Sequence, residues 1–191
     1  MAEKMYDLVI TGGRVIDPET GLDEIRNVGI KGDKIAAVTK DNIQGKETID
    51  AKGHVVAPGF IDMHNHNAGY PFGQKLALRD GVTTPMELEL GVYPVKEWYD
   101  ALEGKSRSNY GGSVSSVAVR EFIMNPDLNE AFHGNFVLDM VSPEKAKTTM
   151  KWSQQPLVDK QMDQFEKMME EGLKQGSVGV GHAVGYMVEG C

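Results

Sequence analysis

Two histidines two residues apart, His64 and His66, follow a short apolar run in the stretch PGFIDMHNHN, residues 58–67. In an extended strand, residues two apart point to the same side. Asp62, His64 and His66 are therefore expected on one face, with Ile61, Met63 and Asn65 on the other. Two imidazoles placed so can chelate one metal ion with little conformational cost. The bare spacing equally suits a pair of partly exposed loop histidines, so the elements around it have to decide.

Those elements fall into two patterns. Residues 5–56 read as all-β: YDLVI, the break TGG, RVIDP, then NVGI and KIAAV joined by the hairpin signal KGD, then ETIDAKG and HVVAPG. After residue 57 strands and helices alternate. FIDMH reads as a buried-type strand, QKLALRDG as a short helix ending at a glycine, and VTTPMELEL as a second strand. Pro94 opens a helix with Val95, Trp98, Tyr99 and Leu102 at i, i+3, i+4 and i+7. NYGGSVSSVAV is a third strand, and a helix over about 156–175 carries the core stripe Val158, Met162, Phe165 and Met169. SVGVGHAVGY is a fourth strand, and the stretch between about 120 and 155 is a long loop with one helix starting at Ser142.

Helical crossovers imply a parallel sheet. The expected fold is α/β: a small β-sandwich portion, residues 1–56, followed by the first half of a metal-dependent (β/α)8 TIM barrel, residues 57–191. A closed barrel of this kind needs roughly 250 residues, so about four strand-helix units are expected to be present and the rest missing.

Composition sets outer limits. The 191 residues are 40% hydrophobic and 25% charged, which is ordinary for a globular protein. The net charge of −8 argues against nucleic acid or an anionic membrane as the main partner. The one cysteine, Cys191, is the last residue, which precludes an internal disulfide and fits a reducing, cytoplasmic compartment. No run of about 18 apolar residues occurs.

The succession DLVITGGRVIDPETG, IKGDKIAAV, IDAKGHVVAPGFIDMHNH and LRDGVTT resembles the opening of the amidohydrolase superfamily, and within it the D-aminoacylase-like branch (N-acyl-D-amino-acid deacylases). The resemblance covers about residues 5–91 and continues weakly to GSVGVGHAVGY. It implies an eight-stranded metallo-barrel with one or two zinc ions, His64 and His66 being first-strand ligands. It also implies two further histidines and an aspartate on later strands, beyond residue 191. A second polypeptide carrying the rest of the barrel, in a homo- or hetero-oligomer, is therefore expected, as is a small N-acyl amino acid substrate. Cleavage of a longer precursor after Cys191 is an alternative origin.

The chain departs from the branch at strand two, where a segment similar to GVTTVVVGNCG carries a cysteine. Here the segment is GVTTPMELELGVYPV. Met86, Leu88 and Leu90 share one parity, Glu87 and Glu89 the other. The outer face of a barrel strand packs apolar residues against helices, which sends both glutamates inward. Carboxylates there are costly unless a cation neutralises them. Glu89, nearer the C-terminal end, is the expected replacement ligand. Glu87 is the second choice, or the group that orients a ligand. Solvated acids on an exposed edge are the plainer reading.

Asp62 is expected to orient a ligand or to serve the barrel base. Tyr186 matches a branch tyrosine that the resemblance implies holds the substrate carboxylate or carbonyl. His182 reads as a satisfied packing histidine, Arg120 as a salt-bridge partner that can alternatively meet a substrate carboxylate. Ser116 stands where the branch tends to have a histidine. His54 and His133 lie in turns or loops and receive no role. The chemistry so implied is hydrolysis of a non-peptide C–N bond, most simply the amide of an N-acyl-D-amino acid, by metal-activated hydroxide. The alternatives are a cyclic-amide hydrolase of dihydroorotase or hydantoinase type, and a non-catalytic fragment.

Overall fold

The computed structural model describes residues 5–125 and 155–186. The chain divides into two compact units, Met1–Pro58 and Gly59–Cys191.

The first unit is one mixed sheet of β1 (Tyr6–Asp17), β2 (Leu22–Lys31), β3 (Lys34–Thr39), β4 (Gly45–Asp50) and β5 (Val55–Val56). The order is β3-β2-β1-β4, with β5 also pairing β1. Its neighbours along β1–β2–β3 are antiparallel, whereas β4 and β5 run parallel to β1. The break expected at Thr11-Gly12-Gly13 is not a turn. β1 passes through it with a register shift between Ile10 and Gly13, a bulge that keeps both halves in one ladder. Val9, Val15 and Val28 are buried. Among the described residues this unit is a single sheet, where a sandwich has two layers.

The second unit is a four-stranded parallel sheet: β6 (Phe60–Asp62), β7 (Val82–Val92), β8 (Gly111–Ser115) and β9 (Val180–Gly181), in sequential order. Helix α1 (Pro71–Arg79) links β6 to β7 and α2 (Val95–Leu102) links β7 to β8. After β8 come α3 (Ser116–Met124) and α4 (Asp159–Lys174). Strand, helix and parallel strand in regular succession make this part of a (β/α)8 barrel. Val92, Val95, Trp98, Leu102, Val114, Val119, Ile123 and Met169 form its apolar core. Each such side chain contributes about 1.5–3 kcal/mol on burial.

Two sequence expectations change here. NYGGSVSSVAV is not one strand: β8 stops at Ser115, whose Oγ accepts a hydrogen bond from the Ala118 N–H at 3.1 Å. That N-cap turns the chain into α3. The stripe of α4 is also shorter than expected. Val158 and Met162 are exposed, and Phe165, Met168 and Met169 do the packing. The helix meets the sheet through its second half, where Gly172 lies against Val114. The loop expected over 120–155, the helix expected at Ser142 and His133 fall largely or wholly outside the described residues.

Among the described residues no helix is long and apolar enough to cross a membrane.

Candidate metal centre

The strand β6 ends at Asp62, so His64 and His66 sit on bends beyond it and not on a strand face. Strand parity therefore does not place them. Asp62 does: its Oδ1 accepts from the His64 N–H at 3.1 Å and its Oδ2 from Asn65 Nδ2 at 2.9 Å. The Asn65 N–H in turn donates to the Met86 carbonyl of β7 at 3.2 Å. Asp62 holds the loop rather than an imidazole. The Asn65 amide, then the His64 N–H, keep its carboxyl below the usual carboxylate range.

Despite leaving the strand, the two rings converge. Their centroids are 5.2 Å apart and nearly perpendicular. Opposite them stands β7. It pairs with β8 at Glu87 and again at Val92, with a register break between, so Leu88–Gly91 bulges from the ladder. Bulges of this sort re-aim side chains at sheet rims. Glu89, on the bulge, brings Oε2 to 3.6 Å from His66 Nε2 and 3.9 Å from His64 Nε2. One ligand atom from each of His64, His66 and Glu89 lies within 4.8 Å of the others.

Glu87 plays a different part. It is 5% exposed, and its Oε1 lies 2.8 Å from His66 Nδ1. Burial pushes its carboxyl up to about 7, the charge on Glu89 adding to the rise, while the His66 imidazole and the Gly91 N–H pull it down. His66 is thus engaged on one nitrogen by a buried carboxylate while the other faces Glu89 and His64. A carboxylate behind a ligating imidazole fixes its tautomer and orientation.

The donor set fits a zinc ion. Zinc takes imidazole nitrogen and carboxylate oxygen at about 2.0–2.2 Å, which places tetrahedral ligand atoms about 3.3–3.6 Å apart. The two separations to Glu89, 3.6 and 3.9 Å, are near that range, and the three ligand atoms, all within 4.8 Å of one another, draw together on binding.

Tyr186 closes a 3-10 turn, Val184–Tyr186, and its side chain lies outside the described residues. Arg120 is buried, donating from Nη2 to the Gln155 carbonyl at 2.8 Å. His54 sits in a turn with Nδ1 near the Lys52 carbonyl. His182 is exposed rather than packed, and its Nδ1 lies 2.6 Å from Ser116 Oγ. That pair was not foreseeable, because 66 residues separate its members.

Residues 47–109 match the model of an amidohydrolase family. The chain is 34% identical over 128 residues to an allantoinase of Escherichia coli, a match covering 58% of this chain and 28% of that protein. It therefore spans well under half the length of the curated relatives it matches. Its fold is similar to that of the N-acyl-D-glutamate deacylase of Bordetella bronchiseptica, a structure with zinc and a phosphonate inhibitor. The TM-score is 0.69 at 21% identity, over 98% of this chain and 40% of that one. A D-aminoacylase structure gives a TM-score of 0.69 at 20% identity, over 95% of this chain and 39% of the other.

Proposed function

We propose, from the chain's membership of the amidohydrolase superfamily and its D-aminoacylase-like fold, that it forms part of a zinc-dependent hydrolase cleaving the amide C–N bond of an N-acyl-D-amino acid. The observation that carries this reading is the convergence of His64, His66 and Glu89, with Glu87 behind His66. Glu89 takes the place that a cysteine holds in the D-aminoacylase-like branch. Bound there, zinc would polarise a carbonyl and lower the pKa of water to about 7. His64, His66 and Glu89 hold the ion, and Glu87 fixes the His66 ring. Asp62 fixes the loop that presents both histidines, and Tyr186 contacts the substrate carboxylate or carbonyl.

The remaining strands come, in this reading, from a second polypeptide. Phe60 and Ile61 on β6 and Val180 on β9 are exposed, which supports further strands beside this sheet. Apolar strand edges of this kind call for a partner. A cytoplasmic location is part of the same reading and rests on the single cysteine.

The match to allantoinase supports a second reading, hydrolysis of a cyclic amide. A substrate panel separates the two. Amine release from N-acetyl-D-amino acids, absent with allantoin and hydantoins, supports the deacylase. The opposite pattern supports the cyclic-amide hydrolase. Turnover of neither, with zinc present and the companion polypeptide supplied, contradicts both.

A further inference from the structure

Two side chains at the C-terminal rim of the parallel sheet take no part in the metal cluster yet are locked together. Ser116 Oγ and His182 Nδ1 are 2.6 Å apart. Ser116 is 2% exposed and opens α3 directly after β8. His182 is exposed and directly follows β9. Since β7, β8 and β9 run parallel, both residues leave the sheet at the end where Glu89 stands.

Gly181 fixes how near. A Cβ at this position would lie 2.7 Å from the Leu88 carbonyl oxygen and 3.0 Å from that of Glu89. Only glycine lets the chain lie against the bulge that bears Glu89, and His182 is the next residue. Ser113 Oγ donates to the same Leu88 carbonyl at 2.6 Å, tying the bulge to β8.

An exposed histidine ordinarily keeps its ring free, because ordering a side chain costs conformational entropy. Here a buried hydroxyl occupies Nδ1 and leaves Nε2 as the ring's one available nitrogen. In the tautomer in which the Ser116 O–H donates to Nδ1, Nε2 carries the hydrogen and is a donor. A preorganised donor next to the bulge that bears Glu89 suits an oxygen-bearing substrate.

The geometry points to His182 as a substrate-contacting residue, its Nε2–H donating to a carboxylate or carbonyl oxygen of the substrate, with Ser116 as the positioning residue that fixes the ring. This rests on the hydrolase reading above.

The test compares His182→Ala, Ser116→Ala and Ser116→Thr with the wild type, each with its companion polypeptide. Zinc per chain, kcat and KM are measured on whichever of the N-acetyl-D-amino acids or cyclic amides the wild type turns over. Loss of one hydrogen bond to a substrate oxygen raises KM by about tenfold to a hundredfold in His182→Ala. Zinc content stays at the wild-type level. Ser116→Ala falls between the two, and Ser116→Thr, which keeps the hydroxyl, returns most of the affinity. A smaller effect of Ser116→Thr than of Ser116→Ala is the signature of ring positioning, which general loosening of a buried site would not give. A His182→Ala enzyme with wild-type kcat/KM overturns the inference and leaves the hydrolase reading standing. A wild type that binds zinc and turns over neither substrate class overturns both.

Discussion

The Nδ1 of His66 lies 2.8 Å from Oε1 of Glu87, a carboxylate almost wholly withdrawn from solvent. Glu87 and Glu89 differ by two positions on one strand, yet one is buried behind an imidazole and the other faces both histidines. In the proposed metal site, Glu87 orients the His66 ring and Glu89 coordinates the ion.

That burial gives the metal-free protein a pH signature. The folded Glu87 carboxyl is raised to about 7 from an ordinary value of 4.5. An acid whose folded pKa is raised binds its proton more tightly in the native state, so its stabilising contribution is complete below pH 4.5 and is lost as pH rises through 7. The loss is about 3 kcal/mol at 1.36 kcal/mol for each pH unit. Urea unfolding of the metal-free protein between pH 4.5 and 8 is expected to show this decline, and Glu87→Gln to flatten it. An equal slope in both proteins would contradict the assignment.

The cap on α3 is separately testable. Ser115 Oγ satisfies the Ala118 N–H at a buried helix start. Ser115→Ala should lower stability by about 1 kcal/mol or somewhat more. Chemical denaturation is the measurement, and an unchanged midpoint would mean that the hydroxyl is dispensable.

Gly181→Ala probes the contact between β9 and the bulge. Its Cβ would stand 2.4 Å from Ser113 Oγ and 2.7 Å from the Leu88 carbonyl. The hydroxyl can rotate away but the carbonyl cannot without moving β7. Overpacking of this kind costs about 1–3 kcal/mol, read as a lower melting temperature. Because the displaced backbone carries Glu89, zinc affinity should fall with it. Full stability and full zinc affinity would show that the approach is looser than described.

Much of the site was legible in residues alone. The alternation of Met86, Leu88 and Leu90 with Glu87 and Glu89 singled out both acids; Glu87 is buried against His66, and the bulge over Leu88–Gly91, which no local pattern marks, carries Glu89 toward both histidines. The histidines were found by type and spacing, but their placement on a strand was wrong. Asp62 ends the strand with its own side chain, a local hydrogen bond competing with the ladder. At Ser115–Arg120 every residue is buried, so no polar face marks the helical period, and two valines read as strand. The Ser116–His182 contact depends on β9 returning beside β8, which is a property of the fold and not of either segment.

In the proposed metal centre, His64, His66 and Glu89 together hold one divalent ion. The most direct measurement is zinc per chain in the purified wild type and in His64→Ala, Glu89→Ala and Glu89→Cys, with affinity measured by competition against a chelator. The expected result is bound zinc in the wild type, loss in both alanine variants, and retention in Glu89→Cys, since a thiolate is also a zinc ligand. Glu87→Gln should bind about tenfold to a hundredfold more weakly, because it removes the carboxylate behind His66. Zinc bound equally by wild type and Glu89→Ala, or by none of the proteins, would contradict the account.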